Sequence, residues 1–545
     1  MDLWKKHWQK IIPMLLGIGI LVLLFMRIEI ATQRFFDVDE YTHMHWAAQI
    51  FIGEKPYIDF YTFFPPGFHW IIQPLFWFFS DSASIFVAGR IVGVVTFVAL
   101  LAVVVYLFAR YRSTKYALLP AFILAFLPMP YDKFFEIRPD TMSTLFGFVG
   151  VILLSLGWRE EKRKRQQLYF TAAGVIFAVC VLVLPKMLPF VMVAGMVVTG
   201  KVGLELWQKE HVKKMLWKYP LKYIHELEPL IFLVLGGAII GLLFVIWLLS
   251  LGDFGTVWYS LMKAGVEGNQ IGKFFIMEPH LFFFPNSSFY GGEGMTLSYL
   301  SNHTIWIIAL FWGVFRLFTP YVTAKNGKTT VADEFMMTGI FFVSVYGYVY
   351  FFPLKHTQYL IPIGVFIAFY AADFLVSVMN WVENTLTLTL SHPPSSESVG
   401  LRRTSTERGK SIVQIGLVCL LIYIGIAVNK ELNTRKINWN NSAQLQEFTL
   451  LTDTIPKTAV VVDLEGKMLT WKNGYYVCCL AFGQFGSFLS RPLPNFAASL
   501  QKNNVEYIYQ GDSGRLTTLL AEDYAYVTSA YAPVEGWYNK LWKRK

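Results

Sequence analysis

Three carboxylates, Asp37, Asp39 and Glu40, fall within four residues just after an apolar run at 11–30. Acids in such a place can do two kinds of work. At a helix start they cap free N–H groups and complement the helix dipole. Within hydrogen-bond reach of an acceptor hydroxyl, a carboxylate takes the proton as that oxygen attacks. A second charged group, Phe135-Glu136-Ile137-Arg138-Pro139-Asp140, opens a later apolar run, where a capping aspartate after proline is the simpler reading. Cations stand at comparable positions: Arg138, Lys186, Lys355 and His356 lie near the ends of apolar runs. Cations there can face an anionic leaving group, and a lysine there can equally snorkel toward the headgroups.

The elements that must position these residues are membrane helices. Of the 545 residues, 55% are hydrophobic and only 15% charged, against about 25% charged in ordinary globular chains. Mean hydropathy is +0.45. About eleven spans of helix length are expected, near 11–30, 85–109, 116–130, 140–158, 168–184, 187–200, 229–251, 303–319, 334–352, 357–379 and 411–428. The first is read as a retained helix, since no small-x-small cleavage site precedes Asp37. A net charge of +10 does not imply nucleic acid here, because Lys and Arg concentrate in loops between apolar runs.

With the N-terminus in the cytoplasm, the inner loops carry 23 Lys and Arg and the outer loops before residue 430 carry 8. That bias sets the expected orientation. Segments 31–84, 252–302 and 430–545 then lie outside, and a linker at 380–410 lies inside. The tail has a soluble composition. Residues 458–463 and 505–509 read as strands and 496–502 as a helix, so 430–545 is expected to be a small α/β domain following a transmembrane domain at 1–429. The acids are expected to lie at the outer ends of spans. Adjacent Cys478 and Cys479 are poorly placed for a bridge.

The order of features after the first span is distinctive. The acids Asp37-Val38-Asp39-Glu40 precede a helical stretch of interfacial type. Then come Gly53-Glu54-Lys55-Pro56-Tyr57, the Pro65-Pro66 element followed by His69, a second surface helix at 67–79, and a span opening with Arg90. This order resembles the GT-C class of polytopic glycosyltransferases over roughly residues 1–380. Its nearest likeness is to the polyprenyl- or dolichyl-phosphate-mannose protein mannosyltransferases and the lipid A aminoarabinose transferases. Arg138-Pro139-Asp140 resembles the class's second acidic loop. Lys355-His356-Thr357-Gln358-Tyr359-Leu360-Ile361-Pro362 resembles its basic-x-x-Tyr-Leu-x-Pro element, with Lys355 and His356 where an Arg is usual. The lysine usual before Pro-Pro is replaced by Phe63 and Phe64.

The resemblance implies an inverting transfer of a sugar from a polyprenyl-phosphate donor to a glycan, lipid or protein acceptor, at the outer face of a bacterial plasma membrane. It makes Asp39 the general base, with Glu40 orienting the site and Asp140 completing it. Arg138, Lys186, Lys355 and His356 are then the candidates to meet the donor phosphate, with Asp37, His69, Glu136 and Tyr359 nearby. Hard oxygen donors at Asp39 and Asp140 suit a divalent metal, though nothing in the sequence demands one. The alternatives are a polytopic transporter or lipid flippase, and a cell-envelope polysaccharide polymerase or ligase.

Overall fold

Lipid cannot satisfy backbone N–H and C=O groups, so apolar runs must close their hydrogen bonds internally as helices. The computed structural model shows this outcome. It describes residues 2–80, 82–208, 225–268, 270, 290, 292–319, 331–352, 356–389, 399–479 and 486–545. Among them, ten helices are long and apolar enough to cross a membrane, from Lys10–Gln33 to Ile412–Asn438. The protein is a multi-pass membrane protein. The helix Ser84–Tyr111, with 28 residues, is about 42 Å long at 1.5 Å per residue, more than a bilayer core requires.

The expected span at 116–130 is less regular. Its helix, Leu118–Phe126, has only nine residues and is buried at almost every position. Pro128 and Pro130 follow it, and proline cannot supply the N–H that would continue a helix. The chain still passes from one end of the bundle to the other: Lys115 meets Gln414 at the start of the last span, and Asp132 meets Lys436 near its end. The passage is therefore present, partly without helix.

We label the helices that carry or cover the site α1 (Asp2–Gln33), α2 (Val38–Phe51), α3 (Gly67–Ile72), α4 (Ser84–Tyr111) and α5 (Pro139–Arg159). Helix α2 does not present a polar face to water along a membrane surface. It is buried on every side from Glu40 to Gln49, because the C-terminal region covers it. Gln49 donates to the carbonyls of Leu469 and Trp471, and Gln444 and Phe36 exchange two hydrogen bonds. Helix α3 follows Pro65-Pro66. Gly67 packs so closely that a Cβ there would lie 2.6 Å from the carbonyl oxygen of Leu182.

The C-terminal α/β region contains β1 (Val460–Asp463), β2 (Lys472–Asn473), β3 (Tyr507–Tyr509), β4 (Tyr531–Pro533) and β5 (Leu541–Arg544), in the order β2-β1-β3-β5-β4. The first three strands are parallel, and β5 runs antiparallel to β3 and β4. The two expected strands and the helix Phe496–Lys502 are all present. Two sequence expectations are corrected. The acids are not confined to the outer ends of the spans: Glu334 and Asp373 pair with Arg112, Asp373 with Arg316 at 2.7 Å, and Asp333 with Arg159 at 2.7 Å, all at the opposite end. Adjacent Cys478 and Cys479 are joined as a disulfide.

Candidate active site

Asp37 has extended backbone angles (φ −73°, ψ 150°) and is the N-cap of α2. Its side chain accepts from the amide of Asp39 at 3.1 Å, while Glu40 accepts from the amide of Asp37 at 2.9 Å. This is a capping box, so part of the acidic cluster does the helix-start work that its position allows. Glu40 is fully buried and takes the guanidinium of Arg90 on both oxygens, at 2.8 and 2.7 Å, together with the amide of Ile137. Arg90 also donates to the carbonyls of Ala31, Arg34 and Phe35. One buried pair thus ties the end of α1, the start of α2, α4 and the 137 loop together.

Asp39 is different. It sits in the first turn of α2, about a quarter exposed, and its Oδ2 meets Nη1 of Arg138 at 2.5 Å. Its Oδ1 has no partner among the described residues. Arg138 also reaches Asp37 at 3.3 Å and Glu136 at 2.5 Å. The two aspartates therefore converge on one guanidinium. Helical spacing would set them about 200° apart, but Asp37 precedes the helix and escapes that geometry. Burial opposes ionisation of Asp37, yet Arg138, Lys133, the Asp39 amide and Arg34 hold its carboxyl well below the usual range.

Buried Glu136 accepts Arg138, Lys133 at 2.7 Å, and Arg34. Arg34 also pairs with Asp132 at 2.8 Å, which Lys436 meets at 2.9 Å. Arg34, Asp132, Lys133 and Lys436 line a cavity of about 170 Å³, bordered also by Asp37, Thr357 and Trp439. Arg34 and Lys133 are among the eight outer-loop cations, and nothing local in the sequence marks their partners. Lys436 and Asp132 are 304 positions apart, and no local pattern marks such a contact.

Asp140 lies in the first turn of α5, within the electrostatic reach of Asp39, Arg138 and Lys186. Lys186 projects its ammonium over the ring of Tyr359, 3.6 Å from the centroid. It makes no ion pair among the described residues. The ring of His356 lies 5.7 Å from that of Tyr359 and perpendicular to it. Burial lowers the His356 pKa to about 4, with Asp39 acting against the shift, so this imidazole is neutral near pH 7. Lys355 lies outside the described residues. His69 is not at the carboxylate cluster: it is buried on α3, 3.2 Å from His43, and burial lowers its pKa to about 3.

The structure thus brings Asp37, Asp39, Glu136 and Arg138 into one contact network, with Asp140, Lys186, His356 and Tyr359 beside it and Glu40 behind it. A metal between Asp39 and Asp140 does not fit this arrangement. Arg138 already occupies Asp39 and shares it with Asp37, and no third donor joins Asp39 and Asp140 at ligand spacing among the described residues.

The fold is of the GT-C type. ArnT from Cupriavidus metallidurans bound to undecaprenyl phosphate superposes with a TM-score of 0.54 at 12% identity, over 97% of each chain. The oligosaccharyltransferase AglB from Archaeoglobus fulgidus, in complex with an inhibitory peptide and a dolichol-phosphate, aligns at 14% identity and a TM-score of 0.49, over 93% of this chain and 69% of that one. Neither a family model nor a curated protein matches the sequence.

Proposed function

We propose that this protein is an inverting glycosyltransferase that takes a sugar from a polyprenyl-phosphate donor, with Asp39 as general base. The observation that carries the reading is the state of Asp39. Arg138 fixes one carboxylate oxygen of a side chain that is a quarter exposed, and the other oxygen is left for an acceptor. The acceptor hydroxyl attacks the anomeric carbon, its proton passes to Asp39 Oδ1, and the bond to the lipid phosphate breaks with its electrons on the leaving oxygen. Developing charge there needs a cation that is not already committed. Arg138 is held by three carboxylates, so Lys186 is the better placed cation. Neutral His356 donates a hydrogen bond to the same phosphate. Glu40 acts at a distance, by holding α2 against α4.

ArnT bound to undecaprenyl phosphate shares the fold, which supports a lipid-phosphate donor. The charge bias of the loops supports a site at the outer face of a bacterial plasma membrane, with 430–545 as an accessory domain above it. A polysaccharide polymerase or ligase would share this layout and differ in acceptor. The test is incubation of purified protein with a panel of polyprenyl-phosphate sugars and membrane-extract acceptors. Release of polyprenyl phosphate is the expected result. Transbilayer movement of the intact donor, without release, would establish a flippase instead.

A further inference from the structure

Buried imidazoles normally have hydrogen-bond partners, and one without them calls for an explanation. His45 is such a residue. It is 1% exposed, on the face of α2 that meets the C-terminal region, and neither ring nitrogen has a hydrogen bond among the described residues. Its neighbours are Cys478 and Cys479, which are 3% and 0% exposed. One ligand atom from each of the three residues lies within 4.8 Å of the others. Asp463 places Oδ2 3.7 Å from His45 Nδ1. That carboxylate already accepts the amides of Glu465, Gly466 and Met468. Gly466 lets this loop approach: its φ is +93°, and a Cβ there would lie 2.9 Å from Cys479 Sγ and 3.0 Å from the backbone of Tyr41.

We propose that the reduced Cys478–Cys479 pair and His45 form a zinc site that pins the C-terminal region to the helix carrying Asp39. Zinc prefers thiolate and imidazole donors at about 2.3 and 2.0 Å, and three ligand atoms within 4.8 Å of one another are close enough to share one ion. Charge selects the ion. Two thiolates neutralise a divalent cation, whereas a monovalent one would leave a buried negative charge beside Asp463. The Asp463 carboxylate then takes the outer position that orients a ligating histidine.

The disulfide is the oxidised, metal-free form of this site. Reduction by a dithiol breaks the Sγ–Sγ bond, delivers two electrons and two protons to the cysteines, and leaves the dithiol as its own disulfide. Zinc binding then releases the two thiol protons to solvent.

The test uses the full chain in detergent, oxidised or reduced with a dithiol, incubated with a slight excess of zinc and desalted without oxygen. Zinc content is measured before and after reduction, and cobalt(II) is titrated in as a spectroscopic probe. The expected result is one zinc per chain in the reduced protein and none in the oxidised protein. Cobalt should give a near-ultraviolet thiolate charge-transfer band that Cys478→Ser weakens and His45→Ala alters. The comparison of reduced with oxidised wild type needs no variant to fold. Equal zinc in both states, a missing charge-transfer band, or a disulfide that resists reduction in folded protein would each overturn the proposal.

Discussion

Replacing Glu40 with Gln separates positioning from chemistry. Glu40 is fully buried and accepts four donors: Arg90 Nε and Nη2, the Ile137 amide and the Asp37 amide. Glutamine keeps the shape but removes the charge, and its NH₂ group turns one accepting site into a donor facing donors. The Arg90 guanidinium is then buried without its counter-ion. Breaking a buried pair from one side costs about 3–5 kcal/mol. For a chain this long, at something under ~2 °C per kcal/mol, the apparent melting temperature should fall by about 4–8 °C. Replacing both partners, as in Glu40→Gln with Arg90→Met, should cost less than the sum of the single changes, because no bare charge remains. The assay is tryptophan-fluorescence unfolding in detergent beside sugar-transfer rates. If Glu40 positions α2, activity follows stability across the series. A Glu40→Gln protein that melts like wild type yet cannot transfer sugar would refute the reasoning and place Glu40 in the chemistry.

Lys186→Ala should raise the KM for the lipid-linked donor by roughly 10–100-fold, the worth of about 1.5–3 kcal/mol for a charged hydrogen bond. Unchanged donor kinetics would remove Lys186 from the phosphate site. Stability should fall on acidification. His69 and His356 take up protons in the unfolded chain near pH 6.5, but in the fold only near about 3 and about 4. The unfolded state therefore binds more protons between those values, so stability rises with pH through that window and is lost as pH drops below about 6.5. Apparent melting temperatures at pH 7.5, 6 and 5 check the sign, and His356→Gln should reduce the slope.

Much of the site's outline was legible in the sequence, because it rests on local rules. Capping chemistry and apolar spacing placed Asp39 and Glu40 in the first turn of a helix after the first span, and Pro139-Asp140 at the start of another. The strands around 460 and 507 and the helix at 496–502 follow from runs of β-branched and aromatic residues beside turn residues. What stayed hidden depends on distant parts of the chain meeting. Glu40 is closed off by Arg90, fifty positions later. The C-terminal region turns a surface helix into a buried one. Asp37 and Asp39 share Arg138 because one of them lies just outside the helix, a difference of a single residue that periodicity does not resolve. The irregular passage at 116–130 is long enough to read as a span, but Pro128 and Pro130 near its end make it only partly helical.

The central claim is that Asp39 takes the acceptor's proton. Its most direct test is single-turnover release of polyprenyl phosphate by Asp39→Asn beside Asp37→Asn, each first shown to be folded by its melting curve. Asparagine can still cap α2 from position 37, and it keeps the shape at position 39 while removing the basicity. The account predicts that Asp39→Asn slows release by roughly 10²–10⁴-fold, the usual worth of a positioned base, and that Asp37→Asn stays within about tenfold of wild type. Release at the wild-type rate by Asp39→Asn, with or without loss in Asp37→Asn, would contradict it.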